Sequence, residues 1–76
     1  MTLTDASPQR RESRLTVRES EVLQLVADGG GDGDIARSLR LSESTVKTHL
    51  RSVYSKLDVP SRAAAVAVAL RRGLIH

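Results

Sequence analysis

The chain contains no cysteine, no tryptophan and no phenylalanine, and only one tyrosine among its 76 residues. Without cysteine there is no disulfide framework and no thiolate metal site. The two histidines, His49 and His76, have no carboxylates near them at ligand spacing, so no metal or other cofactor is expected. No nucleophile stands beside a His–carboxylate pair, which leaves an enzyme reading without a residue to rest on. With almost no aromatic side chains, the core must be built from Leu, Val, Ile and Ala, a composition that favours helices over a sheet. No apolar run approaches the length of a bilayer span, and the opening Met-Thr-Leu-Thr-Asp is not a signal peptide. These absences point to one small all-α domain, soluble and cytoplasmic, with no membrane partner.

Acidic residues are also missing from one place where a solvated helix would carry them. Residues 1–43 hold six Arg against eight Asp and Glu, a balance of −2, whereas residues 44–76 hold six Lys and Arg against Asp58 alone, a balance of +5. A basic C-terminal half on a small helical domain suggests a polyanion. A membrane surface would require bulky apolar anchors beside the cations, and the cationic face has none.

Read from the start, residues 1–14 form a polar arm or linker with a single Leu, too poor in apolar surface to fold. Order is expected from Leu15. Thr16 and Glu19 stand at capping-box spacing, and the helix they open carries Val22, Leu23, Leu25 and Val26 before stopping near Asp28 and Gly29. The stretch Gly29-Gly30-Gly31-Asp32-Gly33 lacks the Lys-Ser/Thr pair of a phosphate-binding loop, so it reads as a flexible connector in which Asp32 is available to cap the next helix. That short helix turns Ile35, Ala36 and Leu39 inward and Arg37 and Arg40 outward. The break falls at Leu41-Ser42, with Ser42 as cap and Glu43 in the following first turn.

The next segment carries two stripes at helical spacing. Val46, Leu50, Val53 and Leu57 recur at i, i+4, i+7 and i+11, and Ser44, Lys47, Thr48, Arg51 and Ser55 recur at i, i+3, i+4, i+7 and i+11. The stripe centres lie roughly 140° apart, so one face is built to be buried and the other offers only cations and hydroxyls. Such a helix suits the major groove of DNA. Two helices joined by so tight a turn make a helix-turn-helix over about residues 32–51, with a recognition helix over about 43–57. Pro60 ends that helix, and Ser61 can cap a last one that closes at Gly73. In the last helix Arg62, Ala65, Val66, Ala69 and Leu70 are assigned to the core side. Ala64, Ala67, Val68 and Arg71 form a small, apolar opposite face suited to a symmetric helix-on-helix contact.

At this point the residues form a known pattern. Leu15-Thr16-Val17-Arg18-Glu19, Glu21-Val22-Leu23, Leu25-Val26-Ala27, Ile35-Ala36, Leu39, Ser42, Thr45-Val46-Lys47, His49-Leu50, Tyr54, Lys56-Leu57, Val59, Arg62, Ala65-Val66 and Gly73-Leu74-Ile75 resemble the LuxR/FixJ/GerE-type DNA-binding domain, without a gap. The resemblance implies a four-helix, bundle-like domain over residues 15–76 with a central helix-turn-helix and a C-terminal dimerisation helix over about 61–72. It also implies a sequence-specific regulator of bacterial transcription, nucleoid-associated, that binds double-stranded DNA as a homodimer on a two-fold symmetric site. RNA polymerase is a further candidate partner.

By the same resemblance Lys47, Thr48 and Arg51 fall where base edges are read. Ser44, Thr45, His49, Tyr54 and Lys56 fall where phosphate contacts are expected, and Ala64, Ala67, Val68 and Arg71 at the dimer interface. Two departures stand out: Gly31-Asp32-Gly33-Asp34 replaces a Ser-Asn-Lys-Glu-like run, removing a usual cation and loosening the entry to the scaffold helix, and Asp58 replaces a usual Gly. The alternative reading, an interaction module that heterodimerises with a related regulator and blocks it, draws its support from that glycine-softened helix.

Overall fold

The computed structural model describes residues 14–76, so the arm expected over residues 1–14 lies, apart from Arg14, outside the described residues. Among the described residues four helices follow in order: α1, Val17–Ala27; α2, Asp32–Leu39; α3, Glu43–Leu57; and α4, Arg62–Arg71. Among the described residues there is no strand.

Each helix starts where the local chemistry supplies a partner for its free N–H groups. Thr16 Oγ1 accepts from the Glu19 N–H at 3.0 Å and the Thr16 N–H donates to Glu19 Oε1 at 2.9 Å, a complete capping box. Ser42 Oγ accepts from the Thr45 N–H at 3.0 Å to open α3, and Ser61 Oγ accepts from the Ala64 N–H at 3.2 Å to open α4.

The entry to α2 differs from expectation. The cap is Gly31, Asp32 is already the first helical residue, and the carboxylate that reaches back is that of Asp34, which accepts from the Gly31 N–H at 3.3 Å. The end of the glycine-rich stretch is therefore helix rather than connector. Acids at the first and third helical positions favour helix there electrostatically, and this offsets the entropy lost at Gly33.

All four helices end alike, with a residue in the left-handed region and a pair of backbone bonds that close the last turn. The left-handed residues are Gly29, Arg40, Asp58 and Gly73. The closing bonds run from Gly30 to Leu25, Leu41 to Ala36, Val59 to Tyr54 and Leu74 to Ala69, each N–H to carbonyl at 2.9–3.0 Å. Glycine fits this conformation freely; Arg40, at φ 58°, and Asp58, at φ 56°, hold it at a steric cost.

The core is aliphatic, formed by Val22 and Leu23 of α1, Ile35 and Ala36 of α2, Val46, Leu50, Val53 and Leu57 of α3, Ala65 and Ala69 of α4, and Ile75. Helix α3 packs against all three others, so its apolar stripe is the spine of the domain. Truncating Leu50 to Ala would open a cavity there at a cost of about 2–5 kcal/mol. After α4 the chain returns to α1, where the Gln24 side-chain amide donates to the His76 carbonyl and accepts from the His76 N–H at 2.9 Å, seating Ile75.

Helix α4 is rotated relative to the face assignment made from its sequence. Ala65 and Ala69 are fully buried, but Leu70, assigned to the core, is 49 % exposed, while Val68, assigned to the outer face, packs against the core. Ala64 is half-buried, whereas Ala63, Ala67, Leu70 and Arg71 are exposed. With Ala at so many positions, the helical period alone does not mark which side is apolar enough to be inside.

Candidate nucleic-acid interface

Burial of Val46, Leu50, Val53 and Leu57 fixes the rotation of α3 about its own axis and turns Ser44, Lys47, Thr48, Arg51 and Ser55 into solvent together. Thr45 and His49 flank this face, each half-buried. Local bonding sets what some of these groups can offer. The Thr48 hydroxyl donates to the Ser44 carbonyl at 3.1 Å, one turn back, so what it retains for a partner is an acceptor oxygen and a methyl group. Thr45 Oγ1 accepts from the Ser42 hydroxyl at 2.9 Å, which leaves its own proton to donate.

Of the expected phosphate residues, one turns inward and one lies at the edge of the face. Lys56 turns inward to Glu19 of α1, with Nζ 2.8 Å from Oε1 and only 21 % of its side chain exposed. Its charge is therefore matched within the fold, because the end of α3 lies against the start of α1. Tyr54 is half-buried beside Arg62 of α4.

The partner of Lys56 is the most buried polar residue of the described chain. Glu19 is 5 % exposed and accepts from the Thr16 N–H, the Ser52 hydroxyl at 2.6 Å and Lys56. Burial alone would push its carboxyl up. The bonds from Lys56, Ser52 and Thr16 and the Lys56 charge outweigh burial and bring the carboxyl down from 4.5 to about 2. One carboxylate thus caps α1 and pins the second half of α3.

Sequence reasoning found Glu19 as a cap but missed its second role, since Ser52 and Lys56 lie more than thirty residues away. Arg62 was missed in the same way. It donates to the Asp32 carboxylate, which ties the first turn of α4 to the first turn of α2, and Asp32 with the Tyr54 hydroxyl beside it holds the guanidinium above its ordinary range.

A helix seated by three others, with cations and hydroxyls alone on its free face, has the build of a major-groove reader. The model of the luxR family of bacterial regulatory proteins matches residues 13–69. The chain belongs to this family.

It is 48 % identical over 63 residues to the uncharacterized response regulatory protein YgeK of Escherichia coli (strain K12), an alignment covering 83 % of this chain and 43 % of that protein. The fold matches the structure of the transcription factor GerE with a TM-score of 0.79 and 37 % identity, over 82 % of this chain and 92 % of GerE. It also matches the LuxR-type receptor VqmA of Vibrio cholerae, with a TM-score of 0.80 and 31 % identity over the whole of this chain and 39 % of VqmA. The LuxR-type chain described here spans less than half the length of the curated relatives it matches. Family membership makes it a helix-turn-helix DNA-binding domain of a transcription regulator.

Proposed function

We propose that this domain reads a two-fold symmetric DNA site as a dimer, with α3 in the major groove of each half-site. In this reading Lys47, Thr48 and Arg51 meet base edges, and Ser44, Thr45 and His49 meet the backbone. The observation that carries it is the separation of the two faces of α3: one is sealed into the core, and the other, free of acids, presents two cations and three hydroxyl side chains. Base-edge contacts supply sequence preference, while phosphate contacts supply affinity and register. A regulator of this kind acts where the chromosome is, in the bacterial cytoplasm.

For the dimer, the exposed side of α4 supports Ala63, Ala67, Leu70 and Arg71 as the contact rather than the Ala64, Ala67, Val68 and Arg71 set. Leu70 and the nearby Leu74 leave 49 % and 41 % of their surfaces exposed, apolar area that a second copy would cover. VqmA is a dimer in the absence of its target DNA, and pairing in that relative supports pairing here. The blocking-module alternative drew on a softened scaffold helix, and the helicity of α2 from Asp32 onward favours the DNA-reading form over it.

Selection from a random duplex pool followed by fluorescence anisotropy tests the reading. Lys47→Ala and Arg51→Ala should each cost about 1–3 kcal/mol on the selected site and relax preference at one or two base pairs. If Lys47→Ala instead weakens selected and random duplexes by one factor, Lys47 belongs to the backbone contacts.

A further inference from the structure

Beside the reading face lies a recess of about 190 Å³ lined by Lys47, Leu50, Arg51 and Tyr54 of α3 and by Arg62 of α4. Three cationic side chains and one phenol border it over a leucine floor. Asp32 binds Arg62 from α2 and holds that guanidinium in place. Arg62 retains 40 % exposure of its side chain, so the ion pair orients it without hiding it. We infer that Arg62 is a DNA-binding residue, closing this recess as a clamp on one backbone phosphate at the rim of the groove that α3 enters.

The geometry favours a phosphate over a base edge. A helix with its side chains is about 10–12 Å across and fills a major groove about 12 Å wide. Lys47 and Arg51 can follow α3 into that space. Arg62 comes from the next helix, set to one side, where the sugar–phosphate strand passes. A guanidinium with part of its fork held by a carboxylate still has donors for a second anion, and its planar geometry matches phosphate oxygens. The Tyr54 hydroxyl, beside Arg62, is the neutral donor of the same clamp. Positive charge exceeds negative charge around the recess, a balance an anion would correct.

This inference rests on the DNA-binding reading and is tested on the same domain with a labelled random-sequence duplex. Affinity is measured for the wild type, Arg62→Gln and Asp32→Asn across about 50–200 mM salt. Arg62→Gln should weaken binding and lower the slope of log affinity against log salt by about 0.9 per subunit, the signature of one lost phosphate contact. Asp32→Asn removes the charge of the same ion pair but keeps an oxygen that accepts from Arg62 and leaves the cation in place, so it should not lower the slope.

Circular dichroism of both variants gives the matching measure of folding. A purely structural Arg62 would make the two variants alike, both less stable and neither changed in slope. That result, with the wild type binding duplex, would overturn the clamp while leaving the DNA-binding reading intact. A wild type that binds no duplex at any salt would overturn both.

Discussion

Replacing Glu19 by Gln keeps the size and shape of the side chain and removes its charge, leaving the Lys56 ammonium with a neutral partner in a mostly buried place. The magnitude follows from proton linkage. A carboxyl brought from 4.5 to about 2 contributes about 3 kcal/mol to folding at neutral pH, at about 1.4 kcal/mol per unit. Screening takes little from that figure, since Glu19 is 5 % exposed. A domain of this size is stable by only about 3–10 kcal/mol, so the loss is a large fraction of the whole.

The sign is fixed by the direction of the shift. Because the folded value lies below the unfolded one, the contribution is complete above the unfolded value of 4.5 and is lost as pH falls through about 2. Urea unfolding followed by circular dichroism, wild type against Glu19→Gln, reads this directly. The two should differ by about 3 kcal/mol at pH 7, keep that gap down to about pH 5, and converge by about pH 2. The other carboxylates are common to both proteins and cancel in the difference. A gap that does not change with pH would show that Gln disturbs packing and that the Glu19 charge contributes nothing.

Three further outcomes follow from the same structure. Arg40→Gly and Asp58→Gly each relieve a left-handed side chain and should raise stability by about 1 kcal/mol, read as a higher melting temperature; a fall would mean that the side chain itself makes a needed contact. Lys56→Gln should lower stability yet leave the salt dependence of DNA binding near that of the wild type, because Glu19 already matches the Lys56 charge; a loss of slope would return Lys56 to the phosphate contacts. Val68→Glu should lower the melting temperature by placing a charge against the core, whereas Leu70→Glu should leave the monomer folded and abolish cooperative binding to paired half-sites in a gel shift. Equal cooperativity in Leu70→Glu and wild type would exclude the outer face of α4 as the dimer contact.

Much of this protein was legible in its sequence because the information is local. Thr16, Ser42 and Ser61 mark helix starts through bonds that span three residues, and the stripe from Val46 to Leu57 marks a buried face through a period of under four. The same stripe fixes the opposite one, so Ser44, Lys47, Thr48 and Arg51 could be named as an exposed face before any packing was known. What the tertiary structure decided are the questions that depend on which helix lies against which. Lys56 reads as a free cation until α1 brings Glu19 to it, and Arg62 reads as a core-side residue until α2 brings Asp32 and α3 brings Tyr54. In α4 nearly every position is small and apolar, so its sequence carries no contrast between inside and outside. Only the fit of Ala65 and Ala69 against α1 and α3 sets its rotation, and with it the outward turn of Leu70 and the inward turn of Val68.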